Sequence, residues 1–136
     1  MGDIMYEITP SFQKTLVAFL EAVRLRNWDV FLTYLSTGAE ITAVLPDGKV
    51  HVGYENFLAT QKPYFQSRTG LFTYKIRQSV VGSEVAFAAA DVTYEDERED
   101  GQKFRWKLYI GFVFKKSGQS WYLIHIQDSI LEKQSL

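Results

Sequence analysis

From Glu84 to Ile130 the chain reads as three long strands folded back on one another at two glycine-bearing turns. Val85 to Asp96 alternates between two faces, and Phe104 to Phe114 is apolar or aromatic along almost all of one face. The stretch closes with Trp121-Tyr122-Leu123-Ile124-His125-Ile126-Gln127-Asp128-Ser129, whose period of two puts His125, Gln127 and Ser129 on one side of a strand. A run of long antiparallel strands at the C-terminal end leaves few architectures open.

The turns predict registers. Asp100-Gly101 read as a two-residue hairpin loop pairs Glu99 with Gln102, and hence Asp91 with Ile110, Ala89 with Phe112 and Thr93 with Leu108. Gly82-Ser83 as a second tight turn sets Tyr74 opposite Asp91. For the last hairpin either Ser117-Gly118 or Gly118-Gln119 is central, and both choices put Ile110 and Phe112 on the face of His125, Gln127 and Ser129. An odd-length loop would reverse that face. The expected helix-facing side therefore carries Tyr74, Ile76, Phe87, Ala89, Asp91, Thr93, Trp106, Leu108, Ile110, Phe112, Leu123, His125, Gln127 and Ser129. The expected outer side carries Ala86, Ala88, Ala90, Val92, Tyr109, Gly111, Val113, Ile124 and Ile126, with Lys75, Arg77, Arg105 and Lys107 towards one end. Such a smooth, uncovered outer face exposes too much apolar area for a monomer, so a homodimer through it is expected.

Ahead of the strands, Thr9-Pro10 predicts a helix start, and Phe12, Leu16, Phe19, Leu20 and Val23 recur at helical spacing. Asn27 can cap a second helix with Trp28, Phe31, Leu32 and Leu35 inward and Gly38 at its end. Glu40–Leu45 and Lys49–Val52 have strand character around the turn Pro46-Asp47-Gly48. Gly53 opens a third helix that turns Tyr54, Phe57, Leu58, Gln61 and Phe65 inward, with a kink or break expected at Pro63. Helices first and strands afterwards argue an α+β fold, three helices packed on one face of a mainly antiparallel sheet.

Composition narrows the function classes. The 136 residues, 46% hydrophobic and 15% aromatic, suit one globular domain over the whole length, 1–136. A formal net charge of −1 gives no reason to expect nucleic acid or an anionic membrane as partner. The absence of cysteine excludes disulfides, thiolate chemistry and Cys-ligated zinc, and two histidines without ligand spacing make a metal site unexpected. No cofactor is expected. Asp3 and Glu7 interrupt any signal-like run near Met1, so a cytoplasmic location is the expectation.

The two leading helices, the short hairpin opening into Gly53-Tyr54-Glu55-Asn56-Phe57, and the strands ending in Trp-x-x-x-His-x-x-x-Ser together resemble the SnoaL-like branch of the nuclear-transport-factor-2-like superfamily. That superfamily includes steroid isomerases, scytalone dehydratase and the association (hub) domain of calcium/calmodulin-dependent kinase II. The resemblance covers nearly the whole chain and implies a cone-shaped fold, a pocket between helices and sheet, and commonly a dimer through the outer sheet face. Its members range from enzymes to scaffolds, so activity does not follow from it. Steroid isomerases carry a catalytic Asp before a Pro in the first strand and an oxyanion-holding Tyr on the first helix. The matching positions are Leu45, before Pro46, and Phe19, which argues against that mechanism. Hub domains end in His-x-His-x-Ser, matched by His125 to Ser129 with Gln127 for the second His. They also carry arginines about where Asp91 and Ile110 or Gly111 fall, which argues against anion binding.

Asp91 interrupts an Ala-rich strand on the face expected to be buried. Desolvation there would raise its pKa towards that of a general acid or base; alternatively it pairs with Arg77 or accepts from Tyr74 or Gln127 and serves the fold. His125 is the next proton carrier, with a satisfied structural histidine as its plainer reading. Tyr74, Phe87, Thr93, Trp106, Ile110, Phe112, Gln127 and Ser129 are the expected ligand contacts. The sequence thus predicts a homodimeric domain binding a small, largely apolar molecule in the cone. Acid/base isomerase, dehydratase or hydrolase chemistry is a second reading, and a non-catalytic scaffold using the outer sheet face a third.

Overall fold

The computed structural model describes residues 11–136. Three helices and six strands follow among them: α1 (Phe12–Arg24), α2 (Trp28–Thr33), β1 (Thr42–Val44), β2 (Val50–Val52), α3 (Tyr54–Gln66), β3 (Leu71–Val81), β4 (Val85–Glu97), β5 (Lys103–Ser117) and β6 (Ser120–Ser135). One sheet runs in the order β2-β1-β6-β5-β4-β3, with β1 parallel to β6 and the other neighbours antiparallel. The expected α+β class, with helices on one face of a mixed, mainly antiparallel sheet, holds.

The expected start at Thr9-Pro10 lies outside the described residues. Within them Ser11 caps α1, its hydroxyl accepting from the Lys14 N–H at 3.2 Å. The apolar stripe of α1 does what its spacing dictates: Phe12, Leu16, Phe19 and Leu20 are buried. Their partners come from the sheet, Phe12 lying 5.3 Å from Phe114 and Phe19 5.7 Å from Phe112, both edge to face. Asn27 caps α2 as expected, accepting from the Val30 N–H. The helix then stops at Thr33, well before Gly38. Tyr34 and Ser36 instead make backbone bonds to Leu123 at 2.7 and 3.0 Å, so the pull of a sheet edge ends it. α3 continues through Pro63 to Gln66, and the Ser67 N–H bonds back to the Pro63 carbonyl.

The sheet registers differ from those expected, and the differences decide which residues meet. The β4–β5 loop holds three residues, Glu99, Asp100 and Gly101, because Arg98 donates to the carbonyl of Gln102. Gly101 closes it with φ +88, a left-handed conformation that glycine adopts without cost. Asp91 therefore pairs with Tyr109, and Ala88 and Ala90 pair with Phe112 and Ile110. The last hairpin does turn at Gly118-Gln119, with Ser117 opposite Ser120, but a bulge follows. Phe114 faces Leu123 whereas Val113 faces His125, so Ile124 is the extra residue. From His125 to Ile130 the side chains of β6 change side, until a second bulge, at Leu131, reverses the parity again. The inward set is Trp121 and Leu123, then Ile126, Asp128 and Ile130. A further shift, at Arg77, puts Tyr74 opposite Val92 and Lys75 opposite Asp91.

The faces are corrected accordingly. Tyr74, Ile76, Trp106, Leu108, Ile110, Phe112 and Leu123 keep the helix-facing side. Phe87, Ala89, Asp91, Thr93, His125, Gln127 and Ser129 move to the outer side, and Ala86, Ala88, Ala90, Val92 and Ile126 move in. Ala86, Ala88 and Ala90 of β4 join the α1 side chains in one buried cluster. The core consequently combines small strand residues with large helix ones, Ala88 and Ala90 with Phe19 and Leu20, all at most 1% exposed.

Candidate functional site

Between the helices and the inner sheet face lies a cavity of about 290 Å³, at the small end of ligand sites. α1 supplies Phe19, Leu20 and Val23, α2 Phe31, and α3 Thr60, Gln61 and Tyr64. The sheet supplies Phe72, Val92, Tyr94, Trp106, Leu108, Ile110, Phe112, Ile126 and Asp128, and the β1–β2 turn Leu45 and Pro46. Most of this wall is hydrocarbon or aromatic ring.

Asp128 is the exception. It stands opposite Ile110 in the β5–β6 ladder, on the inner face because of the bulge at Ile124. Its Oδ1 is buried and has no hydrogen-bond partner. A buried carboxylate oxygen without a donor resists ionisation, and burial lifts the Asp128 pKa from the ordinary 3.8 to about 6. No charged neighbour contributes to that shift. Among the described lining residues Asp128 is the only carboxylate, and none is Lys, Arg or His.

The neutral polar groups of the wall are mostly committed. The Tyr64 hydroxyl donates to the Val23 carbonyl at 2.8 Å and the Tyr94 hydroxyl to Asp96 Oδ2. Burial pushes both phenols up to about 12, so both stay protonated. Thr60 Oγ1 donates to the Phe57 carbonyl at 2.7 Å and accepts from Gln61 Nε2 at 3.0 Å. What the site can do chemically is therefore concentrated in one carboxylate, half-titrated near pH 6, in an apolar room.

The residues expected to form the site divide. Trp106, Ile110 and Phe112 line the cavity. Tyr74 faces the helices but lies outside that lining, its hydroxyl donating to Glu21 Oε2 at 2.7 Å. Phe87, His125, Gln127 and Ser129 do meet one another, with Tyr109, Gly111 and Val113, in a shallow hollow of the outer sheet face. Thr93 lies on that same face, opposite Lys107. Asp91 is an outer-face residue whose Oδ2 accepts from Arg77 at 2.7 Å, with 38% of its side chain exposed, so the expectation of a buried pocket carboxylate there is overturned. His125 Nδ1 lies 2.7 Å from Thr42 Oγ1 and its Nε2 3.4 Å from Gln127 Oε1.

Asp128 is what sequence reasoning missed. A signal for it exists in the apolar residues of β6, which are odd-numbered at Trp121 and Leu123 but even-numbered at Ile126 and Ile130. Such a change of parity inside one strand marks a bulge, and beyond it Asp128 shares the side of Ile126.

A model of the SnoaL-like domain matches residues 13–132. No curated protein matches the chain in sequence. Solved structures do resemble it. The association domain of CaMKII from C. elegans superposes with a TM-score of 0.63 at 16% identity, over 85% of this chain and 90% of that one. A ketosteroid isomerase-like protein from Erwinia carotovora atroseptica gives 0.71 at 16% identity, over 88% and 93%. A hexachlorocyclohexane dehydrochlorinase from Novosphingobium barchaimii LL02 gives 0.72 at 12% identity, over 98% and 92%. Identities this low establish a shared fold, not a shared reaction. Among the described residues no helix is long and apolar enough to cross a membrane.

Proposed function

Since the chain belongs to the SnoaL-like family, we propose that it binds a small, largely apolar molecule in the cone, with Asp128 as the group that exchanges a proton with it. The carrying observation is the Asp128 Oδ1 atom, buried without a partner in a cavity otherwise walled by hydrocarbon. Folding has desolvated this carboxylate oxygen without giving it a protein partner, an arrangement that a bound ligand would account for. A pKa near neutral suits it to take up or give back a proton in an isomerisation or elimination. Steroid isomerisation of the kind the resemblance implies remains disfavoured, because Leu45 and Phe19 present hydrocarbon to this same cavity. Leu45 follows Val44, which pairs with Gln127, so the parallel register brings Leu45 beside Asp128. The carboxylate in this cavity comes from β6 instead of from β1.

The test is occupancy. Titration calorimetry with a neutral bicyclic probe, 2-indanol, should show one site per chain, and filling the cavity with Ile110→Trp should abolish it. Binding that survives the filled cavity would sink the reading. Catalysis would then be judged by Asp128→Asn, which should lose turnover of any substrate found while still binding it.

A second observation favours self-association. On the outer face Phe87, Tyr109, Gly111 and Val113 form an apolar hollow that no other element of the described chain covers. An association domain stands among the structures it resembles. We infer a homodimer through this face, tested by light scattering.

A further inference from the structure

We propose that the cavity takes its ligand as an organic cation, a hydrophobic primary or secondary amine whose ammonium sits at Asp128 and whose hydrocarbon lies among the aromatic walls. The inference rests on the cone being a ligand site and names the chemical class that the site selects.

The observations are the balance of charges and donors in the wall. One carboxylate faces the cavity with Oδ1 unpartnered, and no lining residue among those described brings a positive charge. An unpaired buried carboxylate is costly, and an ammonium from the ligand removes that cost in a way that a hydroxyl does only in part. The wall is also short of free donors. The hydroxyls of Thr60, Tyr64 and Tyr94 donate to protein acceptors, which leaves the Trp106 indole N–H and one N–H of the Gln61 amide. Acceptor oxygens are in excess, so the complementary ligand is one that donates. An anionic ligand would meet Asp128 with like charge and few donors to hold it.

The aromatic rings point the same way. Ring faces attract cations, and two rings of this wall already do so. The Arg26 guanidinium lies 4.4 Å from the Tyr64 ring centroid and the Lys133 ammonium 4.8 Å from that of Trp106. Neither cation lines the cavity. Arg26 is further held by the carbonyls of Tyr64 and Thr69 at 3.0 and 2.8 Å. Neither perturbs Asp128, whose pKa responds to burial alone. The carboxylate is thus left for a charge that arrives with the ligand.

Three bicyclic probes of one shape decide the matter: 2-aminoindane, 2-indanol and indane-2-carboxylate, each titrated into the intact protein at pH 7.5. The amine should bind at least tenfold more tightly than the alcohol, and the carboxylate should not bind. In Asp128→Asn the amine's advantage should vanish while the alcohol still binds. Equal affinity for amine and alcohol overturns the proposal, as does an amine preference that survives the substitution or a carboxylate that binds best. The wild-type comparison is decisive even if the variant does not fold. If alcohol alone binds, the cavity stands as a ligand site and the cationic class falls; if no probe binds, the cavity reading falls and the cationic class with it.

Discussion

Ile110 and Asp128 face one another across β5 and β6, both turned to the helices. One is a fully apolar neighbour, 7% exposed, and the other a carboxylate with an unpartnered oxygen. The pairing exists only because Ile124 is inserted as a bulge. Without it the register of the Gly118-Gln119 turn would run on and Gln127 would stand in the place of Asp128. A single extra residue thus sets which polar group enters the cone.

The raised pKa of Asp128 has a stability consequence with a definite sign. Its folded-state pKa of about 6 lies above the ordinary 3.8, so the folded protein binds a proton more readily than the unfolded chain. Stability from this group is fully present below about pH 4 and is lost as pH rises through 6, a loss of about 2 to 3 kcal/mol. Glu21 acts in the opposite sense, since the hydrogen bond from Arg24, followed by that from Tyr74, holds it down to about 2. The difference between wild type and Asp128→Asn isolates the first effect. Urea unfolding at intervals from pH 4 to 8 should show the variant gaining on wild type by that amount up to pH 7 and then holding level; a gap independent of pH would contradict it.

Much of the fold could be read from the chain because its signals are local. The stripe of α1, the Asn27 cap and the Pro46-Asp47-Gly48 turn each depend on a few neighbouring residues, and each forms as its chemistry requires. Cavity residues that sit on β5, Trp106, Ile110 and Phe112, were legible for the same reason. Faces of β4 and β6 were not, because they depend on parity, which one residue in a loop or bulge reverses along the whole strand. Asp91 and Thr93 themselves argued for the outside, being polar on an otherwise alanine-rich strand. Weighting those two residues above the assumed length of the Gly101 turn would have placed β4 correctly.

That sensitivity is testable in the loop. Gly101→Ala keeps three residues and should cost about 1 to 2 kcal/mol, because φ +88 is strained for any side chain with a Cβ. Deleting Glu99, if the three-residue turn closed by Gly101 is kept, draws Arg98 into the loop, pairs Glu97 with Gln102 and slips β4 by one. Phe87 and Asp91 would then face the helices where Ala88 and Val92 now fit, and the protein should fail to fold cooperatively. Circular dichroism with thermal unfolding separates the two cases, and a deletion variant that melts like Gly101→Ala would show that the loop does not set the register.

Asp91 should prove dispensable to the cavity. Its pair with Arg77 is exposed, 58% for the arginine side chain and 38% for the aspartate, and exposed pairs of this kind contribute at most about 1 kcal/mol. Asp91→Asn should therefore shift stability by less than that and leave 2-indanol binding unchanged. A large loss of binding would mean that the outer face communicates with the cone.

Association through the outer face makes the last prediction. Tyr109 pairs with Asp91 on one side and Ser129 on the other, in the middle of the apolar hollow. Tyr109→Glu puts a charge at the centre of the inferred interface, where desolvating it costs several kcal/mol per dimer, yet leaves the inner core untouched. Gly111→Ala is the matched control. The added Cβ would meet only the edge of the Phe87 ring at 3.5 Å, ordinary contact, so it should neither unfold the chain nor separate the copies. Light scattering on the wild type and both variants should give dimer, monomer and dimer in that order, with thermal unfolding showing Tyr109→Glu still folded. A wild type that is monomeric at tens of micromolar would remove the outer face from the account and leave the cone as the part of the molecule to which function must be assigned.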